Sequence, residues 1–519
     1  MQKVVLTLFT LSLGSTVLGF WREMQFAKLF GVSQVVDAYI TATLIPSLFF
    51  SIIGTSITLV IIPQMVKNQT QDLSHFYQGI NYMITIICFI AISFVTIIYV
   101  AAPFLVNLLV QSENNKDMRE IAIESLQILA PTILFYSLTA FLRGMLQAKQ
   151  QHIFLIFTGY AFNIMIILCM QLFHETQGIR SVAFGTLFAS IIQCILLFYA
   201  LCKQGFTYQI RLSYQDSGVL QVQKMMVPMI FSVGIYECTV FINRMMASNI
   251  EHGSVSILTY SQILCTVPIL LLSMNIISIL YPQFVQKAIQ KQEVLFNKQL
   301  INGIEWLLFL QLPIMLVFLV FSQDIIANIF QGGRFSSQDT VQTASVLSIL
   351  ACSIIPLSIR ECIGRADFAL GNVRYVIYTN VISLSLNIIL NSLFIPLWGV
   401  KGIAASISFS SSIGMLAQFM WMHRIRRYNF LKQSILFGCK ICFSSMCAFG
   451  LFCVCLIVAK KFVVEKELFI LTICLGMLVC TIVYVGISKV LKCKPAMQLM
   501  TNRQIQHIYR QIKRKKQKA

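Results

Sequence analysis

Long apolar runs separated by short polar connections dominate this chain. Fourteen runs reach membrane-spanning length. Seven lie near 3–27, 34–62, 78–102, 120–145, 151–173, 179–202 and 225–248, and seven near 254–284, 300–322, 340–364, 374–396, 400–422, 433–459 and 467–490. About 20 apolar residues cross a hydrocarbon core of roughly 30 Å, so each run predicts one transmembrane helix and the fold class is all-α and polytopic. Lys3 ahead of the first run suggests a signal peptide, but no small-residue cleavage site follows. The run continues through Gly19-Phe20-Trp21 and predicts a retained first helix. An even number of spans places both termini on one side.

Charge decides which side. The even-numbered connections carry Lys67, Lys149, Lys203, Arg211, Lys224, Lys287, Lys291, Lys298 and the cluster Arg424, Arg426, Arg427 and Lys432. The odd-numbered ones are shorter and mixed or acidic, as between Glu113 and Glu120 or at Glu251-His252. Basic residues concentrate on the cytoplasmic face, so both termini are expected in the cytoplasm. Of 519 residues, 57% are hydrophobic and 11% charged, against about 25% charged in a soluble domain. Much of the net charge of +20 lies between spans and in the tail from Arg503 to Lys518, where membrane lipids are the expected partner rather than nucleic acid. Most of the 16 cysteines lie inside apolar runs and act as small hydrophobes. Cys439 and Cys442 form a C-x-x-C pair without a second pair, so no metal or redox cofactor is expected. No phosphate loop of the G-x-x-x-x-G-K-[ST] type occurs, which argues against direct coupling to ATP. The short odd-numbered connections offer no room for a large acidic catalytic loop, so an enzyme such as a glycan polymerase is not expected.

The chain repeats itself at a distance of about 220 residues. Pro63-Gln64-Met65-Val66 returns as Pro282-Gln283-Phe284-Val285, Asn163-Ile164 as Asn387-Ile388, and Gly178-Ile179-Arg180-Ser181-Val182-Ala183 as Gly399-Val400-Lys401-Gly402-Ile403-Ala404. Equivalent positions fall on helices six apart, and an even shift preserves orientation. Two six-helix lobes are therefore expected, residues 1–210 and 220–428, related by a pseudo-two-fold along the membrane normal. Two extra C-terminal helices (433–490) and a basic cytoplasmic tail (491–519) follow.

Charged residues at membrane depth cost about 2.5–3.5 kcal/mol on insertion scales and usually face a cavity. The candidate substrate-binding residues are accordingly Arg22 and Glu23 in helix one, Asp37 in helix two, Arg244 in helix seven and Arg360 in helix ten. Glu237, Glu305 and Glu361 are the other acids in the spans. Arg143, Arg365 and Asp367 are read as helix-end residues that snorkel toward the interface. Pro46 and Pro268 fall inside helices two and eight, where the lost backbone bond predicts a kink; their symmetric placement suggests a pair of hinges.

Ser15-Thr16-Val17-Leu18-Gly19-Phe20-Trp21-Arg22-Glu23 resembles the opening motif of the MurJ (MviN) lipid II flippases, a branch of the multidrug/oligosaccharidyl-lipid/polysaccharide exporter superfamily. Phe30-Gly31 with Asp37-Ala38-Tyr39, Gly253-Ser254-Val255-Ser256 with Tyr260 and Pro268, and Gly333-Arg334-Phe335 with Asp339-Thr340 are similar to later blocks of that family. So is Arg365-Ala366-Asp367-Phe368-Ala369-Leu370-Gly371-Asn372-Val373-Arg374. The resemblance runs across essentially all fourteen helices. It implies transport of a polyprenyl-pyrophosphate-linked sugar from the inner to the outer leaflet, two lobes around a cationic cavity, and a lipid-tail groove formed by the last two helices. Other cell-wall synthesis proteins become expected partners.

The chain departs from the family at several cations. The family's first arginine is Thr16 here, its helix-eight arginine is Ile263, and helix two reads Phe49-Phe50-Ser51-Ile52-Ile53-Gly54 without the family's arginines or glutamate. Members with a sodium site use oxygen ligands on helices seven and eleven; the matching residues, Asn243, Asn387 and Asn391, supply neutral amides, a weaker set for a hard cation. Coupling to membrane potential or to a monovalent cation both remain open. Potential alone moves an anion outward, at about 2.3 kcal/mol per charge per 100 mV. Lipid II is the expected cargo. A flippase for another lipid-linked glycan, such as a capsule or teichoic-type precursor, is the alternative, and a cation-coupled small-molecule antiporter a more distant one.

Overall fold

The computed structural model describes residues 2–54, 73–109, 116–149, 151–212, 230–231, 234–235, 237–426, 436–451 and 480–501. These residues are helical almost throughout, as the apolar runs predict. The first of the repeated Pro-Gln motifs (63–66), the beginning of predicted helix seven, the facing ends of the last two spans and the tail beyond Thr501 lie outside them. Seven described helices are long and apolar enough to cross a membrane individually, and two bent pairs raise the number to nine. Large apolar side chains such as Val100, Phe104, Leu172 and Leu397 stand at least 69% exposed. A soluble surface would not tolerate so many, but lipid does. This is a multi-pass membrane protein.

In chain order the helices are α1 (Gln2–Phe30), α2 (Gln34–Phe49), α3 (Leu73–Leu109), α4 (Lys116–Leu129), α5 (Thr132–Ala148), α6 (His152–Gln177) and α7 (Arg180–Cys202), followed by α8 (237–247). Then come α9 (Ser254–Pro268), α10 (Met274–Ile289), α11 (Glu293–Ile329), α12 (Ser337–Ala351), α13 (Ile354–Ala369), α14 (Val373–Trp398) and α15 (Val400–Arg426). The last three are α16 (Leu436–Leu451), α17 (Cys480–Val490) and α18 (Lys494–Thr501).

Two departures from the expected helices recur at the repeat distance. Predicted helices four and ten are each broken, α4 from α5 by 40° and α12 from α13 by 41°. Pro131 and Pro356 sit at the start of the second halves, where a proline's missing N–H is no loss and where its ring disfavours continuing the preceding helix. Helices two and eight are not sharply broken at Pro46 and Pro268. Instead each contains a π-helical turn, Phe50–Gly54 and Ile269–Ser273, the wide turn that often marks a functional site in a helix. Arg365 and Asp367 lie within α13 rather than beyond it, and Asp367 is buried. The turns that open α7 and α15 also match: Gly178 and Gly399 hold φ of 54° and 56°, a region that favours glycine.

The chain divides into two compact units. The first comprises Met1–Tyr260, Gln323–Val346 and Asn387–Ile403. Within it α6 packs along α7 and against α1, α2 against α4, and α5 against α7 and the π turn at Phe50–Gly54. Small residues permit the close approach of α1 and α6: Gly14 lies under the Tyr160 ring and Gly159 beside Ser15. Such contacts replace the hydrophobic drive that lipid cannot supply.

The second unit comprises Ser261–Ser322, Leu347–Leu386 and Ala404–Ala519. Its core joins Ile277 and Phe284 of α10, Leu300 and Ile304 of α11, Ile359 and Cys362 of α13, and Ile441 of α16. Tyr484 of α17 donates its hydroxyl to the Phe309 carbonyl at 2.6 Å. Lys494, which begins α18, reaches the buried Glu305 at 3.4 Å. Cys439 and Cys442 are free thiols on α16.

Candidate functional site

Helix α1 must carry Arg22 and Glu23 inside an apolar span, and it does so by pairing them. The two side chains form an ion pair and are only 23% and 21% exposed. Arg22 also donates to Asn163 Oδ1 of α6 at 3.0 Å, and Asn163 Nδ2 returns a bond to the Gly159 carbonyl at 2.9 Å. Tyr39 and Tyr136 lie within electrostatic reach of Arg22. Arg244 of α8 lies within reach of Glu23 and Glu237, and Glu237 bonds Ser51 in the π turn. The Arg244 Nε is buried without an acceptor. A buried unmatched donor on a cation is costly unless an anion completes it. The structure thus brings Arg22, Glu23 and Arg244 into one polar cluster within the first unit. Thr16 adds no cation; its hydroxyl turns back to the Ser12 carbonyl at 3.0 Å.

Asp37 has a different environment. It is 2% exposed, and its two oxygens accept from the backbone N–H groups of Gly253 (2.7 Å) and Ser256 (2.8 Å) at the start of α9. A carboxylate there meets both unpaired amides and the positive end of the helix. Both oxygens are therefore engaged by backbone, which makes Asp37 a clasp between α2 and α9. Around it Tyr260 donates its hydroxyl to the Gly31 carbonyl at 3.1 Å, and the Arg334 N–H to the Lys28 carbonyl at 2.9 Å. Phe26, Tyr260, Phe330 and Phe335 close the same region, with ring centroids 5.3–6.3 Å apart. Sequence reasoning marked Asp37 as a buried charge but had no means of naming partners 216 and 219 residues away.

The three asparagines do converge. Asn391 Nδ2 donates to Asn243 Oδ1 at 2.8 Å and to Asn387 Oδ1 at 3.3 Å, and all three are at most 2% exposed. A hard cation wants several oxygens, preferably anionic. Here an N–H₂ group already points at two of the three amide oxygens, so these residues do not fit a sodium ion. No group of three or more His, Cys, Asp or Glu suited to a metal occurs among the described residues.

Arg360 belongs to the second unit. It donates to Ser383 Oγ at 2.9 Å and Asn380 Oδ1 at 2.8 Å, and lies over Gly414. It ties α13 to α14 and α15. Near Pro268, Gln311 Nε2 donates to the Pro268 carbonyl (3.0 Å) and to Ser273 Oγ (2.7 Å), and Ser273 bonds Ser358 at 2.9 Å. Gln311, Ser273 and Ser358 are fully buried; this anchoring of the π turn had no signature in the sequence.

Broken and π-turned apolar helices in a repeated order, with an ion pair at membrane depth, are the architecture of a membrane transporter. The fold agrees. The chain superposes on the inward-facing conformation of a multidrug resistance MATE family transporter with a TM-score of 0.68 at 11% identity, covering 81% of this chain and 94% of that one. It superposes more closely on the lipid II flippase MurJ in an inward closed conformation, with a TM-score of 0.79 at 22% identity over 93% and 99% of the two chains. The profile of the lipid II flippase MurJ family matches residues 26–474, and the chain belongs to that family. Probable lipid II flippases of Vibrio cholerae and Treponema pallidum are 23% and 24% identical to it, over 83% and 86% of this chain and 84% and 87% of theirs.

Proposed function

We propose that this protein is a flippase that carries a polyprenyl-pyrophosphate-linked peptidoglycan precursor, lipid II, from the inner to the outer leaflet. The observation that carries this reading is the cluster of Arg22, Glu23 and Arg244 in apolar helices, with a buried Arg244 donor that lacks an acceptor. Arginine forks suit pyrophosphate oxygens, and Glu23 holds Arg22 until the anion arrives. Family membership supplies the cargo.

The mechanism is alternating access without covalent chemistry. Two six-helix lobes, 1–210 and 220–428, rock about the headgroup, while the groove of 433–490 keeps the lipid tail in the bilayer. The π turns beside Pro46 and Pro268 serve as hinges. With both termini in the cytoplasm, as the basic connections favour, α2 and α9 meet near the outer face, and the Asp37 clasp is the outer gate in its closed state. The Asn391 N–H₂ group occupies the oxygens of Asn243 and Asn387, which supports coupling to membrane potential; a dianion gains roughly 4–5 kcal/mol per 100 mV on moving outward.

The neutral residues Thr16 and Ile263 favour a second reading, in which another lipid-linked glycan is the cargo. Leaflet accessibility of lipid II, in cells where this protein is the sole candidate flippase, separates them. Depletion traps lipid II inside on the first reading. On the second, lipid II still reaches the outer leaflet.

A further inference from the structure

The lost arginines leave the site short of positive charge, and one cation in the first unit has no assigned role. Arg143 lies on α5, partly buried, and no hydrogen bond or ion pair engages it among the described residues. Its place on the helix is informative. Phe141, Leu142, Met145 and Leu146 are at most 2% exposed and pack with Ile80, Met83 and Ile84. At 100° per residue, Arg143 points away from that core and shares a face with Tyr136, seven residues and about 10 Å earlier. Tyr136 is the residue within electrostatic reach of Arg22 and Tyr39, so this face looks into the polar cluster rather than toward lipid. Long helical side chains also lean toward the helix N-terminus, which here is the Tyr136 side. Finally, α5 packs against the Phe50–Gly54 turn, the stretch where the resembling family carries arginines.

We propose that Arg143 is a substrate-binding cation that takes over from the missing helix-two arginines and holds the pyrophosphate before it passes to Arg22. The inference rests on the flippase reading. On this reading Arg143 differs from a helix-end residue reaching for the interface: the exposed Gln147 continues its face toward the helix end, and Arg143 stands one turn inside it.

The test is titration of the purified full-length protein with inorganic pyrophosphate, using the wild type, Arg143→Gln, Arg143→Lys and Arg22→Gln. Loss of one charge-assisted contact weakens affinity roughly ten- to a hundredfold, so Arg143→Gln is expected to bind that much more weakly. Arg143→Lys, which keeps the charge but not the fork, should recover part of the loss. Lipid II exposure on the outer leaflet should fall in the same order. If Arg22→Gln weakens binding while Arg143→Gln does not, Arg143 has no such role and the flippase reading stands. If the wild type does not bind pyrophosphate, or neither glutamine variant changes its affinity, both fall together. Matched melting curves guard against a folding defect, and Arg143→Lys carries the test if Arg143→Gln fails to fold.

Discussion

Replacing Asp37 with asparagine perturbs the clasp with almost no change of shape. The carboxylate accepts from two backbone amides at 2.7 and 2.8 Å in a buried setting. An amide offers one oxygen, and its N–H₂ group then faces the second N–H. One charge-assisted bond is lost, worth about 1.5–3 kcal/mol, together with about 0.3–1 kcal/mol of favourable charge at the helix start. The sum, about 2–4 kcal/mol, multiplies the open population of this contact roughly 30- to 1,000-fold at 1.4 kcal/mol per decade. The Tyr260–Gly31 and Arg334–Lys28 bonds remain and keep the effect local. Hydrogen exchange of the amides of residues 253–257, followed by mass spectrometry, reads that opening directly. Exchange there should accelerate by at least tenfold, while the α6–α7 core stays protected. Exchange that changes less than threefold would refute the clasp, whatever happened to transport.

Other expectations follow from separate contacts. Gln311→Leu deprives the Pro268 carbonyl and Ser273 of their shared donor and should lower stability by about 1–3 kcal/mol, visible as a reduced melting temperature. Ala at Gly178 and at Gly399 should each cost about 1–2 kcal/mol, because both turns require the left-handed region; similar losses at both sites would agree with the repeat, and a loss at one alone would not. The melting temperature of the wild type should not depend on whether sodium or choline is the cation. Asn391→Asp, which replaces the inward N–H₂ with a carboxylate oxygen, should create a sodium-dependent increase. A sodium shift in the wild type would contradict the amide arrangement.

What one could read from the linear chain and what one could not divide along a physical line. Whether a segment dissolves in lipid depends on its own composition, so the apolar runs marked the helices, and the paired motifs at Gly178 and Gly399 correspond to matched turns. The polar residues worth watching were equally plain, because an ionisable group in an apolar run is rare and costly wherever it occurs. Their partners were not. Asp37 finds amides more than 200 residues away, and Arg360 finds Ser383 and Asn380 on the following helix. The breaks at Pro131 and near Pro356, and the π turns in place of simple kinks, depend on how neighbouring helices satisfy freed backbone groups. Hydropathy is a property of each segment alone. The choice of partner is made by helix faces that meet only when the chain has packed, and in this protein that packing separates a clasp from a binding site.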